Sequence, residues 1–380
     1  MQVVFPVRRK LRVIDGKFFV LSLMTAVVFV SLPAHLSGGT QFVSKNQDML
    51  LKDGWVYYQN VNRNVSYEIT AATVYKVRQD GSQKSRIFDL KHDIKETDYT
   101  YNFEIFDISE DWLFFTKTVA DADGSRSSNG GAMFKFNLIT KNYIQLNKQN
   151  GHDPVMYKDF VWYMVDQYDK NMFIGSSLFK VNINTSEEIK LNDTVFKSNG
   201  RDRIGFAIYD DAIYVSETRY ENGESVSYTY QLNLDGNLVR TYEDMDFIYS
   251  IIDEIIYYEI RSGQIYRVKT DGTEKNNISG NTLRKINPVV IDRVLYFSTS
   301  TGYLETKQDG IQNATREIFG NIFSINLADG TVKSLYSQEP VRLVSVLNDT
   351  IYFKRYNEAS KSTSLHQMNL EGEDVKHRAF

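Results

Sequence analysis

The chain has 380 residues, of which 42% are hydrophobic and 24% are charged, so its composition is that of a folded protein rather than a disordered or fibrous one. Cysteine is absent, which excludes disulfide scaffolds, thiol catalysis and cysteine-ligated metal centres. The net charge of −4 gives no indication of nucleic-acid binding. With 25 Tyr and 23 Phe against 5 Pro, the composition favours strands over helices.

The N-terminal segment differs from the rest of the chain. Five basic residues precede an apolar run over 18–30, and small residues follow over 37–39, which is the order of a signal peptide. A membrane span needs roughly 20 apolar residues, so the run is short, but 18–34 would serve as an uncleaved anchor. We predict that 1–39 is a signal peptide or membrane anchor. The remainder, 40–380, is predicted to be one domain that is secreted or otherwise lies outside the cytoplasm.

One short motif recurs along this remainder. A polar corner is followed by an apolar pair and then by two aromatic residues, or by one aromatic residue and valine. The seven copies cover residues 53–58, 110–115, 158–163, 210–215, 253–258, 292–297 and 348–353. A motif that repeats at a fixed period indicates a repeat architecture rather than a set of unrelated strands.

A second alternating strand follows each copy and usually ends in a tight turn, as at Asp235-Gly236 and Asp271-Gly272. Counting an inner strand before the corner and an outer strand after the turn, each copy supplies four antiparallel strands, and the copies repeat about every 49 residues. We therefore predict an all-β fold, a seven-bladed β-propeller of four-stranded antiparallel blades. Two β-sandwich domains would have similar strand spacing, but they give no reason for one corner motif to recur seven times.

The paired motifs Asp/Asn-x-x-Ile/Leu-Tyr-Tyr/Phe and Leu/Ile-Tyr-x-Val-x-x-Asp-Gly resemble a bacterial propeller domain of unknown function. That domain is named for its likeness to the propellers of low-density-lipoprotein-receptor-related proteins. The resemblance covers about 48–376 and implies a propeller without catalytic residues. The Tyr-Trp-Thr-Asp signature of the receptor propellers is replaced here by strings such as Val56-Tyr57-Tyr58-Gln59. Receptor-style ligand binding is therefore not implied.

Residues that could carry catalysis are scarce. His92, His152, His366 and His377 are spread along the domain without metal-binding spacing, and the sequence has no Gly-x-Ser-x-Gly elbow or phosphate-binding glycine loop. The segment 121–124, Asp-Ala-Asp-Gly, resembles the start of a calcium loop but lacks the later ligands. We predict no catalytic residue, no metal site and no cofactor.

The loops between the second and third strands differ in length and sequence from one copy of the repeat to the next. They range from 259–263 to the insert at 298–321, and long variable loops on a rigid scaffold are where recognition usually resides. Any exposed loop of a tyrosine-rich chain would look similar, which is the alternative interpretation. The candidate ligand- or partner-binding residues in these loops are Tyr67, Arg126, Tyr168, Lys170, Arg219, Tyr220, Tyr303, Arg316, Arg355 and Tyr356.

We predict an exported, monomeric, non-catalytic binding or scaffolding propeller. It recognises a protein or a cell-surface glycan through this loop face, does not bind nucleic acid, and meets the membrane only through its N-terminal segment. The alternative is a hydrolase or lyase acting on extracellular glycans, for which acids from different blades would have to stand roughly 5–10 Å apart. A third possibility is the sensor or assembly part of an envelope complex, with 18–34 retained as an anchor. Converging carboxylates would favour the enzyme, and an aromatic face would favour binding.

Overall fold

A computed structural model describes this chain as an all-β protein, as the composition predicts. The described residues are 49–63, 69–78, 81–94, 100–109, 111–119, 130–170, 172–197, 205–279, 285–299, 302–305, 316–347, 349–357 and 362–378. The predicted signal peptide or anchor, 1–39, lies outside them. Among these residues, no helix is both long and apolar enough to cross a membrane.

The first three sheets each contain four antiparallel strands that follow one another in chain order. Sheet 1 contains β1 (Met49–Lys52), β2 (Trp55–Arg63), β3 (Ile69–Arg78) and β4 (Ser85–Asp89), followed by a π-helical segment, Leu90–Ile94. Sheet 2 contains β5 (Thr100–Ser109), β6 (Trp112–Val119), β7 (Ala132–Asn137) and β8 (Tyr143–Gln145). Sheet 3 contains β9 (His152–Tyr157), β10 (Phe160–Asp169), β11 (Met172–Asn182) and β12 (Glu188–Lys190).

The next two sheets have the same order, and the last is larger. Sheet 4 contains β13 (Gly205–Tyr209), β14 (Ala212–Glu221), β15 (Glu224–Asn233) and β16 (Leu238–Glu243). Sheet 5 contains β17 (Phe247–Ile252), β18 (Ile255–Glu259), β19 (Ile265–Lys269) and β20 (Asn276–Ser279). Sheet 6 contains β21 (Ile286–Ile291), β22 (Val294–Ser298), β23 (Gly302–Glu305), β24 (Arg316–Asn326), β25 (Val332–Leu347), β26 (Thr350–Asn357), β27 (Ser362–Asn369) and β28 (Lys376–Arg378).

One long strand, β25, makes sheet 6 larger than the others. Its first part, 332–336, pairs with β24 as an outer strand, whereas 341–347 pairs with β26 as an inner strand, and the register shifts between the two parts. Sheet 6 therefore consists of two four-stranded halves, to which β23 adds a short extra strand. The first half is called unit 6 and the second unit 7, and sheets 1–5 are units 1–5. The sequence pattern did not predict this continuous strand.

The predicted corners lie between the first and second strands of every unit. Two residues connect the paired strands in each case, as in Lys52↔Trp55, Tyr209↔Ala212 and Leu347↔Thr350. At one corner both turn residues, Asp210 and Asp211, have positive φ, at 45° and 60°. Two successive residues with positive φ characterise the type I′ turn, whose twist suits a two-residue hairpin.

In the Asp-Gly turns between third and fourth strands, the two residues have different roles. In the turn at 271–272 only Gly272 has positive φ, +83°, and its N–H donates to the Lys269 carbonyl at 2.8 Å. Asp271 instead accepts hydrogen bonds from the N–H and hydroxyl of Thr273, at 2.8 and 2.6 Å. Aspartate therefore fixes this turn through its side chain, and glycine supplies the backbone conformation.

The aromatic pair after each corner packs against two different neighbours. Phe114 faces unit 3 and Phe115 faces unit 1, and Tyr352 and Phe353 likewise divide between units 1 and 6. Successive side chains of a strand point to opposite faces, so one aromatic residue enters each interface. This requirement explains why the corner motif recurs.

Hydrophobic clusters connect the units in series. The described residues form seven such clusters, and six of them lie between successive units. The seventh joins Val56 and Tyr58 of unit 1 to Val344 and Tyr352 of unit 7. The first and last units therefore meet through side-chain packing.

Candidate functional site

Each unit has two ends. The corners and the third-to-fourth turns lie at one end, called the corner face, and the hairpins between second and third strands lie at the other, called the hairpin face. The segments 165–176 and 216–227, predicted as loops, are largely paired strand instead. The turn at Asn222 and Gly223, with φ of 52° and 89°, closes the second of these hairpins and is a type I′ signal that the loop interpretation missed.

Two of these hairpins extend well past their inner strands. In unit 3, β9 pairs with β10 only as far as Met164, yet β10 continues to Asp169. In unit 4, β13 stops opposite Ser216, while β14 continues to Glu221. Five further strand residues, at about 3.3 Å each, carry each hairpin about 16 Å beyond its inner strand.

Large apolar side chains are exposed at the end of the unit 3 hairpin. Tyr168, Met172, Phe173 and Ile174 are 43%, 66%, 39% and 43% exposed. Tyr168 and Phe173 form an edge-to-face pair with ring centroids 5.8 Å apart. Single exposed apolar residues are ordinary, but four within seven residues of one hairpin tip are a concentration of the kind that marks an interaction site. These four residues are called the apolar tip.

A half-buried ionic cluster lies at the base of the same hairpin. The Nδ1 atom of His152 is 2.7 Å from Asp153, and its Nε2 atom is 2.9 Å from Asp166. The Ser176 hydroxyl donates to the same Asp166 oxygen at 2.7 Å, and Ser176 is the cross-strand partner of Asp166. The cluster therefore connects β9, β10 and β11 where the hairpin leaves the sheet.

With Asp153 and Asp166 both ionised, the geometry calls for a doubly protonated imidazole. Ionised carboxylates can only accept hydrogen bonds, so both ring nitrogens must donate. Burial by itself lowers the pKa of His152, but its hydrogen bonds to Asp153 and Asp166 outweigh burial and raise the pKa above 6.5. Burial by itself raises the pKa of Asp166, but the hydrogen bonds from His152 and Ser176 outweigh burial and lower the pKa below 3.8. The cluster is thus an imidazolium between two carboxylates.

A second ionic cluster lies in the unit 4 hairpin. Glu217, whose side chain is 1% exposed, pairs with Arg219 and accepts the Tyr230 hydroxyl at 2.9 Å and the Lys197 N–H at 2.8 Å. The Arg219 guanidinium also lies over the rings of Tyr228 and Tyr230, at 5.3 and 6.0 Å from their centroids. The guanidinium therefore has partners within its own hairpin.

Two further ion pairs lie at the same end of units 5 and 7, the first buried and the second more than a third exposed. Lys285, 1% exposed, is 2.8 Å from Glu259 and donates to the Gly263 carbonyl at 2.6 Å. Arg355 pairs with Glu339 beside the register shift in β25. Buried ion pairs contribute little net stability because desolvation offsets attraction. Their recurrence at the hairpin face therefore marks a part of the protein that folding alone does not explain.

The structure places the predicted binding residues on several different hairpins and strands. Tyr168 and Lys170 lie at the unit 3 hairpin tip, and Tyr220, 69% exposed, lies on the unit 4 hairpin beside the ion-paired Arg219. Arg355 and Tyr356 lie on β26, where Arg355 is also ion-paired. Tyr303 and Arg316 belong to the paired strands β23 and β24. Tyr67 and Arg126 lie outside the described residues.

Sequence reasoning missed the His152 cluster and the buried acids. His152 and Asp166 are 14 positions apart, so only the pairing of β9 with β10 brings them together. Glu217 and Glu259 look like ordinary polar residues near turns. Within the described part of the chain, no group of three His, Cys, Asp or Glu residues could hold a metal ion. These clusters can position hairpins, and Asp166, Glu217 and Glu259 are each bonded to a cation of the fold.

Comparisons with known proteins agree with this architecture. No known family and no curated protein matches the chain. The separate β-propeller domain of the trilobed protease from Pyrococcus furiosus, described as an open velcro topology, is 10% identical with a TM-score of 0.54, over 90% of this chain and 96% of that one. Oligopeptidase B from Leishmania major is 10% identical with a TM-score of 0.55, over 90% of this chain and 49% of that enzyme. Acylaminoacyl peptidase from Pyrococcus horikoshii is 11% identical with a TM-score of 0.53, over 87% and 52%.

The chain therefore spans about half the length of these peptidases and nearly all of the isolated propeller domain. Likeness at this level of identity shows the fold alone. The fold is propeller-like, and the peptidase activities belong to those proteins.

Proposed function

We propose that this chain is an exported, non-catalytic, seven-bladed β-propeller that binds a protein partner through its hairpin face. The seven units, joined in series by seven clusters with unit 7 against unit 1, support the blade number. The basic and apolar order of 1–39 supports export. The resemblance to a bacterial propeller domain remains a prediction.

The observation that carries the binding proposal is the apolar tip. Exposing Met172, Phe173 and Ile174 to water is unfavourable by about 25 cal/mol for each Å² of apolar surface, and a folded chain gains nothing from it. The His152 cluster holds the hairpin at its base, so the tip is presented by a fixed element. Pre-organisation of this kind lowers the entropic cost of binding.

A protein partner fits the tip better than a glycan does. Aliphatic and thioether groups contribute through burial in an apolar pocket, and Met and Phe are enriched at protein interfaces. Acidic residues lie at the ends of both hairpins, Asp169 beside Lys170 in unit 3 and Glu221 and Glu224 in unit 4. A partner with an apolar pocket and a basic rim would complement these charges.

The hydrolase alternative requires acids that are free to exchange protons. The buried or half-buried acids described at the hairpin face, Asp166, Glu217 and Glu259, are each bonded to a cation within the fold. A carboxylate held by a cation is stabilised in its ionised form and makes a poor general acid. This pairing argues against Asp166, Glu217 and Glu259 as the general acid of a glycan hydrolase.

Because the chain lacks cysteine, single-cysteine cross-linking tests the proposal on the full-length protein. A membrane-impermeant, photoactivatable maleimide is attached to Phe173→Cys in intact cells of the native host. The matched control is Ile139→Cys, an exposed aliphatic residue, 69% exposed, in a turn of the corner face.

We expect labelling at both positions, because the chain is exported, and a discrete protein adduct only from position 173. No labelling in intact cells would refute export. Adducts from position 139 alone would place the interface on the corner face.

A further inference from the structure

A cleft between units 4 and 5 offers a second binding surface at the hairpin face, independent of the apolar tip. Its volume is about 240 Å³. Ser225 and Ser227 of β15, Asp244 after β16, and Arg261, Tyr266 and Lys275 of unit 5 line it. It is called the serine cleft. Ligand pockets for drug-sized molecules measure about 300–1,000 Å³, so this cleft admits a smaller group.

Two charged side chains of the serine cleft are not used by the described part of the fold. Among the described residues, neither the Asp244 carboxylate nor the Arg261 guanidinium makes a hydrogen bond or ion pair. Asp244 is nonetheless fixed, because its N–H donates to the Ser227 carbonyl at 2.9 Å. Ser227, 5% exposed, donates its hydroxyl to Asp246 at 2.7 Å and keeps its lone pairs available for a ligand.

Charge in the serine cleft is balanced. Arg261 and Lys275 are opposed by Asp244 at the lining and by Asp246 directly behind Ser227. An anion would meet two carboxylates and a cation would meet two basic groups. The balance therefore favours a neutral ligand that both donates and accepts hydrogen bonds.

Aromatic rings accompany these polar groups. Tyr266 lines the cleft, and the ammonium of Lys275 lies 5.7 Å from its ring centroid. Tyr220 pairs with Ser225 across the hairpin, so both side chains project from the same side of the sheet. Tyr220 is 69% exposed.

We propose that the serine cleft binds one sugar residue of a neutral glycan. Sugar hydroxyls both donate and accept, and neighbouring pairs of them match the two oxygens of Asp244 and the fork of Arg261. The C–H face of a sugar ring packs on tyrosine, which Tyr266 provides in the lining of the cleft. The cleft therefore contains the groups that recognise such a ligand: hydroxyls, a carboxylate, a guanidinium and an aromatic ring.

The test uses full-length protein in a detergent without sugar headgroups. Ligand-observed NMR titrations measure binding of glucose, galactose and N-acetylglucosamine, with glucuronate and inorganic phosphate as anions. We expect a neutral sugar to bind in the millimolar range, as befits one small site, and Arg261→Ala or Asp244→Asn to weaken it about tenfold or more.

Arg240→Ala is the matched control, since Arg240 reaches Gly272 in a third-to-fourth turn of the corner face. It should leave the affinity unchanged, as should Phe173→Ser, which tests the protein-binding proposal instead. Circular dichroism checks that each variant is folded. Three results would each overturn the proposal: binding of the anions alone, tighter binding in Asp244→Asn, or no neutral sugar bound at tens of millimolar.

Discussion

Replacing His152 should destabilise the protein in a pH-dependent way. His152→Ala removes two charge-assisted hydrogen bonds and leaves Asp153 and Asp166 close together without their shared cation. The three side chains are only 17%, 15% and 16% exposed, so solvent replaces little of the lost interaction. Breaking a buried pair by removing one partner costs about 3–5 kcal/mol, and this partial exposure places the expected loss near about 3 kcal/mol at pH 6.

The direction of the pH dependence follows from the two pKa shifts. The pKa of His152 is raised above 6.5, so its contribution is fully present below 6.5 and is lost as pH rises through the folded-state pKa. The pKa of Asp166 is lowered below 3.8, so its contribution is present above 3.8 and is lost as pH falls through the folded-state pKa. The cluster stabilises most between about pH 4 and 6.5.

Urea denaturation followed by tryptophan fluorescence measures the free energy of unfolding of both proteins from pH 5 to 9. The difference between wild type and His152→Ala should shrink as pH rises. His366 provides a control of opposite sign, because burial lowers its pKa below 6.5 and His366→Gln should become relatively more stable as pH falls. A constant difference for His152→Ala across this range would refute the imidazolium assignment.

Two further pairs of variants test the packing of the units. Gly151→Ala should cost about 1–3 kcal/mol in urea denaturation, because its Cβ would lie 2.3 Å from a Tyr163 ring carbon, whereas Gly205→Ala, with no atom within 4 Å, should cost less than about 1 kcal/mol. Equal costs would contradict the close contact. Tyr352→Ala, in the cluster that joins units 7 and 1, should cost about 3–5 kcal/mol, and the exposed Tyr220→Ala less than about 0.5 kcal/mol. A small loss at position 352 would show that this junction does not hold the ring closed.

The core of the fold was predictable from sequence because every unit must pack against a neighbour on each side in the same way. Each second strand must put one large side chain into each neighbouring interface, so pairs such as Phe114 and Phe115 recur beside two-residue corners. The hairpin extensions were not predictable in this way. Beyond the inner strand, 217–221 reads Glu-Thr-Arg-Tyr-Glu and shows no alternation between apolar and polar residues, although Glu217 and Thr218 are buried.

The candidate site was predictable only in part. Tyr168 and Tyr220 are exposed at the hairpin face, as their residue type and position suggested. Arg219 and Arg355 looked equally available, yet both are ion-paired within the fold. The partners of a charged side chain depend on strand register and on neighbouring units. Residue type alone does not reveal them.

The most direct test of the account is the affinity of the cross-linked partner for three forms of the full-length protein. These are the wild type, Met172→Ser combined with Phe173→Ser at the apolar tip, and Ile139→Ser at the corner face. Two anchors that each contribute about 2 kcal/mol predict a loss near 1,000-fold for the tip variant, and the Ile139→Ser variant should match the wild type. Unchanged affinity in the tip variant, or a comparable loss with Ile139→Ser, would contradict the assignment of the hairpin face as the interaction surface.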